Sequence, residues 1–312
     1  MRVRLHSVLG NDDVADRLNI KLIKKGIDTE LCQKAEGKTG RTIVLLTPGG
    51  ISTKLGHAGV ALQIENHLAD TSTFSLFSHV HLASVTLPLV HKVLRMKHNH
   101  HNTPTSTTPT TTTRFPSVSL DLGATILAAD PNELREALGQ LDYVFLNEYS
   151  LKVVYGINLE DSSTSTTKTT TWPSYLIEKL AGIEHNNGTR ESGVTLVVTL
   201  GTNGAYAISA ARGSFFQPSE NVEVVDTTGM SSPHSVSMSS LTPFYFTGAG
   251  DAFAAAFLTM KLLYQMEDSE ALSRAHVAAA TKIKTKGGTN GHPSHNDIER
   301  TLSLRKQDKH IS

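Results

Sequence analysis

Residues 247–253 of this chain read Thr-Gly-Ala-Gly-Asp-Ala-Phe and run directly into the helix-forming string AAAFLTMKLL. Small residues ahead of a helix are what an oxyanion hole requires. Without bulky side chains, the backbone N–H groups of Gly248, Ala249 and Gly250 can approach a negative oxygen closely, and the positive end of the helix dipole adds to the attraction. Asp251, in the first turn, is placed to accept a proton from a substrate hydroxyl. A base one residue beyond an anion hole suits phosphoryl transfer, which depends on positioning and on stabilising charge. Read locally, the same string is equally an ordinary glycine-rich helix start with an acidic first turn.

Other candidate motifs are better explained without chemistry. Gly37-Lys38-Thr39 has the ending of a phosphate-binding loop, but the first glycine of that motif would fall at Cys32. His98, His100 and His101 lie in a low-complexity tract without a cysteine or carboxylate partner, which reads as surface loop rather than metal site. His79 and His81 alternate on an expected strand and share one face, in a structural role. Asn187-Gly188-Thr189 has the letters of a glycosylation site but reads as a turn.

The elements that must hold residues 247–253 follow from the hydrophobic pattern. Residues 3–9 read as a strand. Asn11 or Asp12 can cap a helix whose apolar face is Val14, Leu18 and Leu22. Residues 42–46 and 51–55 read as strands joined by Pro48-Gly49-Gly50. Short apolar runs at 79–83, 118–122, 143–146 and 194–200 suit buried parallel strands. Helical patterns lie at 87–96, 132–139, 175–181, 249–264, 269–284 and 295–304. This alternation predicts an α/β layer fold with a mostly parallel sheet, organised as one domain over residues 1–312. Two tracts, 97–114 and 161–171, are rich in Thr, Ser, His and Asn and read as mobile surface insertions.

The 312 residues balance 29 Lys and Arg against 29 Asp and Glu, so no general electrostatic attraction to nucleic acid or an anionic membrane is expected. The single cysteine excludes an internal disulfide framework. No apolar run approaches a membrane span of ~20 residues, and the start has no signal-like apolar core, so a cytoplasmic enzyme is expected.

Taken in order, the motifs resemble the ribokinase-like (PfkB) family of carbohydrate and nucleoside kinases. Gly10-Asn11-Asp12 resembles its G-x-D segment, Gly26-Ile27-Asp28-Thr29 its G-V-D-T, and Thr39-Gly40-Arg41-Thr42-Ile43-Val44 its lid motif. Residues 143–148 resemble D-x-x-x-x-N-E, and residues 199–205 resemble the T-L-G-x-x-G-A nucleotide loop. Residues 225–229 and 248–253 resemble the strand and turn of the catalytic motif, and residues 286–290 resemble a late loop near adenine. The resemblance implies a three-layer α/β/α sandwich with a small β lid at about 40–57. It also implies transfer of the γ-phosphoryl group of ATP to an alcohol of a sugar or nucleoside, with Mg²⁺ and K⁺ as cofactors. In it, Asp251 is the base, and Gly248, Ala249 and Gly250 form the anion hole. Asn147 contacts phosphate or Mg²⁺-bound water, Thr199, Gly201, Gly204 and Asn290 border the nucleotide, and Asp226 and Thr228 offer oxygens to K⁺. A homodimer through the lid is implied as well.

The sequence departs from the pattern at three places. The chain starts after the family's first strand and sugar-gripping segment, so missing N-terminal strands are expected. Ser150 stands where N-x-x-E has its Glu. The catalytic motif D-T-x-G-A-G-D is split between Gly229 and Ala249. Codons for 229–230 and 246–248 can carry splice-like ends, and removing 230–248 restores Asp-Thr-Thr-Gly-Ala-Gly-Asp, so this insertion reads as a translated intron. These departures make a catalytically impaired scaffold that binds nucleotide or a partner the alternative function.

Overall fold

The computed structural model describes residues 2–46, 52–102, 115–159, 173–178, 180, 193–219, 248–285 and 290–311. They fall into two compact units, Met1–Ser78 with Arg95–Pro116 and His79–Leu94 with Ser117–Ser312.

In the first unit, β1 (Arg4–Leu9) leads into α1 (Asp13–Lys24), and β2 (Asp28–Lys34) returns parallel to β1. Asp12 caps α1 by accepting the Ala15 N–H at 3.1 Å. Asp13 and Asp16 in the first turn and Lys21 and Lys24 in the last complement the helix dipole. The expected apolar stripe of α1 is only partly covered. Ala15 is fully buried, whereas Leu18 remains 37% exposed. A sheet two strands wide is too narrow to cover the whole stripe.

The strands expected at 42–46 and 51–55 are β3 (Arg41–Leu46) and β4 (Ser52–His57), paired antiparallel. Their connection at Pro48-Gly49-Gly50 lies outside the described residues. The root of this hairpin is tightly crossed. A Cβ at Gly59 would lie 2.2 Å from the Lys38 carbonyl oxygen, and one at Gly10 would lie 2.5 Å from that of Gly37. Gly59 also has φ +56°, so only glycine fits there without strain. The buried Thr39 hydroxyl accepts the Gly10 N–H at 2.9 Å and donates to Asp12 Oδ1 at 2.6 Å. A 3₁₀ segment, Gly59–His67, and α2 (Thr71–Phe74) follow.

The second unit is built on β5 (His79–Ala83), β6 (Ser117–Asp121), β7 (Tyr143–Asn147), β8 (Thr195–Thr199), β9 (Ala205–Ser209) and β10 (Gly213–Gln217). Their order is β10-β9-β8-β7-β6-β5. The four runs expected as parallel strands are β5 to β8, parallel throughout. The β9–β10 hairpin runs antiparallel and makes the sheet mixed. The helix expected at 87–96 is α3 (Leu87–Asn102), so the first residues of the tract expected as a loop at 97–114 are helical. KHNHHN holds no helix breaker, and the first one is Pro104. Residues 103–114 and 161–171 lie outside the described residues.

Further helices are α4 (Pro131–Leu138), α5 (Glu148–Tyr155), α6 (Ala249–Leu262), α7 (Asp268–Lys282) and α8 (His295–Ile311), and residues 173–178, within the reach of the helix expected at 175–181, are helical as well. Phe257 of α6 is fully buried, edge-on to the rings of Tyr143 and Phe145 at 6.1 and 5.9 Å. The register sets Phe145 beside Val197, and Val197 beside Ala207, on that same face. Val144, Leu146, Leu196 and Val198 on the opposite face are buried too, and α5 lies against β7 and β8. Helices therefore cover the sheet on both sides, the α/β sandwich that the alternation predicts.

A buried ion cluster fastens the hairpin to α7. Asp268 is 2% exposed. It accepts Arg212 Nε at 2.9 Å and pairs with Lys261 Nζ at 2.7 Å, while Arg212 also donates to Thr195 Oγ1 at 2.7 Å.

Candidate active site

Gly248 is the residue before α6 and holds φ +88°, ψ 1°, a left-handed conformation open to glycine at little cost. The turn aims the first N–H groups of the helix outward, where no earlier carbonyl can satisfy them. A Cβ at Gly250 would meet nothing within 4 Å, so this glycine leaves approach space rather than filling a packing need. Asp251 is exposed in the first turn. The anchor beneath it is strong, because Phe253 and Phe257, farther along the same helix, are buried, and Phe253 meets the His276 ring at 5.2 Å. Gly248, Ala249, Gly250 and Asp251 thus form one contiguous constellation at a rigid helix start.

The C-terminal ends of the parallel strands carry the other candidates, which is where open α/β sheets place ligands. Asn147 ends β7 and pairs in register with Thr199, which ends β8. Thr199 Oγ1 donates to the Leu146 carbonyl at 3.3 Å. The turn that follows contains Gly201 at φ +53° and Gly204 at φ +108°. Gly204 is required by packing, since its Cβ would lie 2.3 Å from the Gln217 carbonyl oxygen on β10. Gly201 has open space around it.

Asn147 is exposed, but its side-chain oxygen is committed locally. It accepts the Ser150 N–H at 2.8 Å, and the Ser150 hydroxyl accepts the Asn147 N–H at 2.8 Å. This reciprocal capping box starts α5. Ser150 is fully buried, and no carboxylate stands at that position. Asn290 is exposed between α7 and α8, and no hydrogen bond among the described residues ties it to the other candidates. Asp226 and Thr228 lie outside the described residues.

Two groups that sequence reasoning did not assign to the site belong with it. Asp121 ends β6, and its carboxyl is pushed up to about 6, first by burial and then by the negative charge of Asp251. Burial lowers the His81 imidazole from its ordinary value, while Asp251 acts in the opposite direction. Asp251 is therefore close enough to act on both. The strand expectation had placed His79 and His81 on one face in a structural role. The structure shows a polar ladder there: the Ser119 hydroxyl lies 2.7 Å from His79 Nε2 and 2.7 Å from His81 Nδ1, and Ser117 Oγ lies 2.7 Å from His79 Nδ1. The signal available in the sequence was the run His-x-His opposite Ser-x-Ser-x-Asp on adjacent strands, where a buried parallel sheet is otherwise apolar.

The chemistry of this arrangement is a carboxylate beside a set of outward N–H groups, with a second, reluctantly ionised carboxyl near it. That arrangement can take a proton from an alcohol while holding an anion. Among the described residues no group of three or more His, Cys, Asp or Glu is placed to hold a metal ion by protein ligands alone. A magnesium ion bound mainly through phosphates and water needs no such group, and one or two exposed oxygens suffice.

A family model described as pfkB family carbohydrate kinase matches residues 1–229 and 241–295, passing over 230–240. None of the curated proteins matches the sequence. Among solved structures, a ribokinase described as putative from Agrobacterium tumefaciens superposes with TM-score 0.70 at 18% identity, covering 98% of this chain and 82% of that one. A putative ribokinase II from E. coli, solved with ATP and Mg²⁺, gives TM-score 0.68 at 19% identity over 97% and 84% of the two chains. A nucleoside kinase from Burkholderia thailandensis, solved with inosine, gives 0.67 at 16% identity over 97% and 80%. The likeness in fold extends over nearly the whole chain.

Proposed function

This chain belongs to the pfkB family of carbohydrate kinases, and from that premise we propose that it transfers the γ-phosphoryl group of ATP to an alcohol of a sugar or sugar-like small molecule. The observation that carries the reading is Asp251, exposed on the first turn of a helix opened by left-handed Gly248, with its charge felt at Asp121 and His81. Asp251 takes the proton of the attacking hydroxyl. The N–H groups at Gly248, Ala249 and Gly250 stabilise negative charge on the transferring group. Thr199, Gly201 and Gly204 border the nucleotide at the β8–β9 turn, where Gly201 leaves room for close backbone approach. Mg²⁺, bound with ATP, supplies neutralisation of the phosphate charge. Asn147 and Asn290 complete the nucleotide side, and K⁺ is the cation assigned to Asp226 and Thr228.

The lid hairpin supports a dimer in the same reading. Ile43, Leu45 and Leu55 are exposed and share one face of the hairpin, an apolar surface suited to a second copy of this chain.

The second reading is a scaffold that binds nucleotide without turning it over. It is favoured by Ser150, whose buried hydroxyl caps Asn147 where a carboxylate would organise Mg²⁺. Incubating the purified full chain with γ-labelled ATP, Mg²⁺ and a panel of sugars and nucleosides decides between the two. Acceptor-dependent ADP release and a labelled product support the kinase. Nucleotide binding without transfer to any acceptor supports the scaffold.

A further inference from the structure

Strands buried in a parallel sheet are apolar on both faces. In β5 and β6 only one face obeys this. Val80, Leu82, Val118 and Leu120 lie on it, whereas the other face carries His79, His81, Ser117, Ser119 and Asp121. The register sets Asp121 beside Phe145. The His81 ring meets Phe145 edge-on at 6.1 Å, and Phe145 meets Phe257 of α6 at 5.9 Å. The polar stripe therefore lies on the side of the sheet that α6 covers, and Asp251 is the charge that α6 brings to it. All of these residues belong to the second unit.

The contacts of 2.7 Å along this stripe form a ladder, Ser117 Oγ to His79 Nδ1, His79 Nε2 to Ser119 Oγ, and Ser119 Oγ to His81 Nδ1. A hydroxyl carries one hydrogen. Ser119 can therefore donate to only one of its two ring nitrogens, and the other nitrogen must donate to it. With both rings neutral, two arrangements satisfy the ladder. In the first, both rings carry their hydrogen on Nε2, so His79 donates to Ser119, Ser119 donates to His81 Nδ1, and His81 turns an N–H outward. In the second, both carry it on Nδ1, and His81 turns a lone pair outward. Ser119 thus makes the two rings choose together. Ser119 is fully buried, His81 is the end that reaches the surface, and its Nε2 has no hydrogen-bond partner among the described residues. The titratable groups that face the ladder are Asp121 from β6, Tyr143 from β7, whose ring lies 6.4 Å from that of His79, and Asp251 from α6. Burial holds the Tyr143 hydroxyl above its ordinary value, so it stays neutral. Asp121 and Asp251 disfavour each other's charge. An outward N–H at His81 offsets that repulsion, and an outward lone pair adds to it.

We propose that His81 is a positioning residue for Asp251: the ladder from Ser117 through His79 and Ser119 holds the His81 imidazole with its Nε2–H outward, and this N–H keeps Asp251 in the carboxylate form that accepts the hydroxyl proton. The role rests on the reading of Asp251 as the base. The proton of the hydroxyl goes to Asp251 and not to the ladder, and His81 sets how readily that carboxylate is available.

The first measurement needs no substrate. The full chain with ¹⁵N-labelled histidine is titrated by long-range ¹H–¹⁵N correlation, which tells Nε2–H from Nδ1–H, and His79→Leu and His81→Leu assign the two rings. Both rings are expected to carry hydrogen on Nε2 at neutral pH, and protonation of His81 is expected to move the His79 signals in the same step. Ser119→Ala makes the two rings titrate independently. Asp251→Asn, a change at an exposed position that preserves folding, lowers the His81 midpoint by about half a pH unit, and Lys21→Gln leaves it in place. Nδ1–H on His81, or a His81 midpoint indifferent to Asp251→Asn, overturns the proposal and leaves the kinase reading standing. The second measurement is the pH profile of kcat with an acceptor from the sugar and nucleoside panel. His81→Leu is expected to move the acid limb upward by about half a pH unit, a rate about threefold lower on that limb, with nucleotide Kd unchanged. His81→Gln, whose amide offers a fixed N–H, returns the limb toward the parent. A loss of rate equal at every pH, with the limb unmoved, marks a structural role and overturns the proposal. Coupling of His81 to Asp251 in the titration, with no transfer to any acceptor, keeps the ladder and overturns the kinase reading.

Discussion

Asp251 is held by a helix that does not depend on it, which makes it a clean residue to change. Its side chain is exposed, while the packing of α6 rests on Phe253, Phe257 and their neighbours. Asp251→Asn is expected to lower kcat by about 10²–10⁴-fold, the usual worth of a general base, with nucleotide affinity nearly unchanged. Steady-state kinetics alongside nucleotide titration checks both halves. Asp121 offers a second test through stability. Its carboxyl titrates at about 6 in the folded chain, above the ordinary 3.8, so the unfolded chain gives up this proton first as pH rises. Well below the ordinary 3.8 the group is protonated in both states and contributes nothing. Well above about 6 it is ionised in both states, and the folded state carries the full cost of holding that charge. Asp121→Asn should therefore raise unfolding free energy at about pH 7.5, by up to about 3 kcal/mol, and leave it nearly unchanged at about pH 2.5. Urea melts of the two proteins at the two pH values give the comparison.

Single elements carry their own tests. Thr39 links Gly10 to Asp12 at the hairpin root through one hydroxyl. Thr39→Val keeps the shape and removes both bonds, and should cost about 1–3 kcal/mol by chemical denaturation. The segment 230–248 belongs to another kind of experiment. If it is a translated intron, mature messenger RNA lacks its codons, and transcripts carrying them throughout reject the idea. How far the elements were legible depends on their surroundings. His79–Ala83 lies at the bounds the sequence indicates, because a short apolar β-rich run between turns has one reading. Asp28–Lys34 went unseen as a strand, since DTELCQK is mostly polar and only partly buried. The β9–β10 hairpin follows the nucleotide-loop motif at 199–205 and carries no strand signal of its own in the sequence reading, and its arginine turn is fixed by Asp268, distant in sequence. The helix α5 was missed although Asn147 and Ser150 cap it and left-handed Gly156 ends it. At the candidate site, Gly248 to Asp251 are contiguous and could be read as a string. Asp121 and His81 come from separate strands, and only the sheet places them near Asp251.

For the molecule as a whole, the ion cluster at Asp268 is the point where one residue carries the most. Removing its carboxylate leaves Arg212 and Lys261 facing each other beside a buried surface without a counter-charge. Asp268→Ala is expected to destabilise the fold by about 3 kcal/mol, and a calorimetric melt that moves by less than a degree would contradict the cluster's role. Among the described residues no helix is long and apolar enough to cross a membrane. The glycine crossing beneath the β3–β4 hairpin has a mechanical meaning. Strands of six residues extend about 20 Å from their root. A beam that length, clamped where neither Gly10 nor Gly59 leaves room to give, works as a lever rather than a tether. A tilt of about ten degrees at Asp12 and Thr39 carries the far ends of the strands through about 3 Å, so a small event at the fulcrum becomes a stroke as large as an atomic contact.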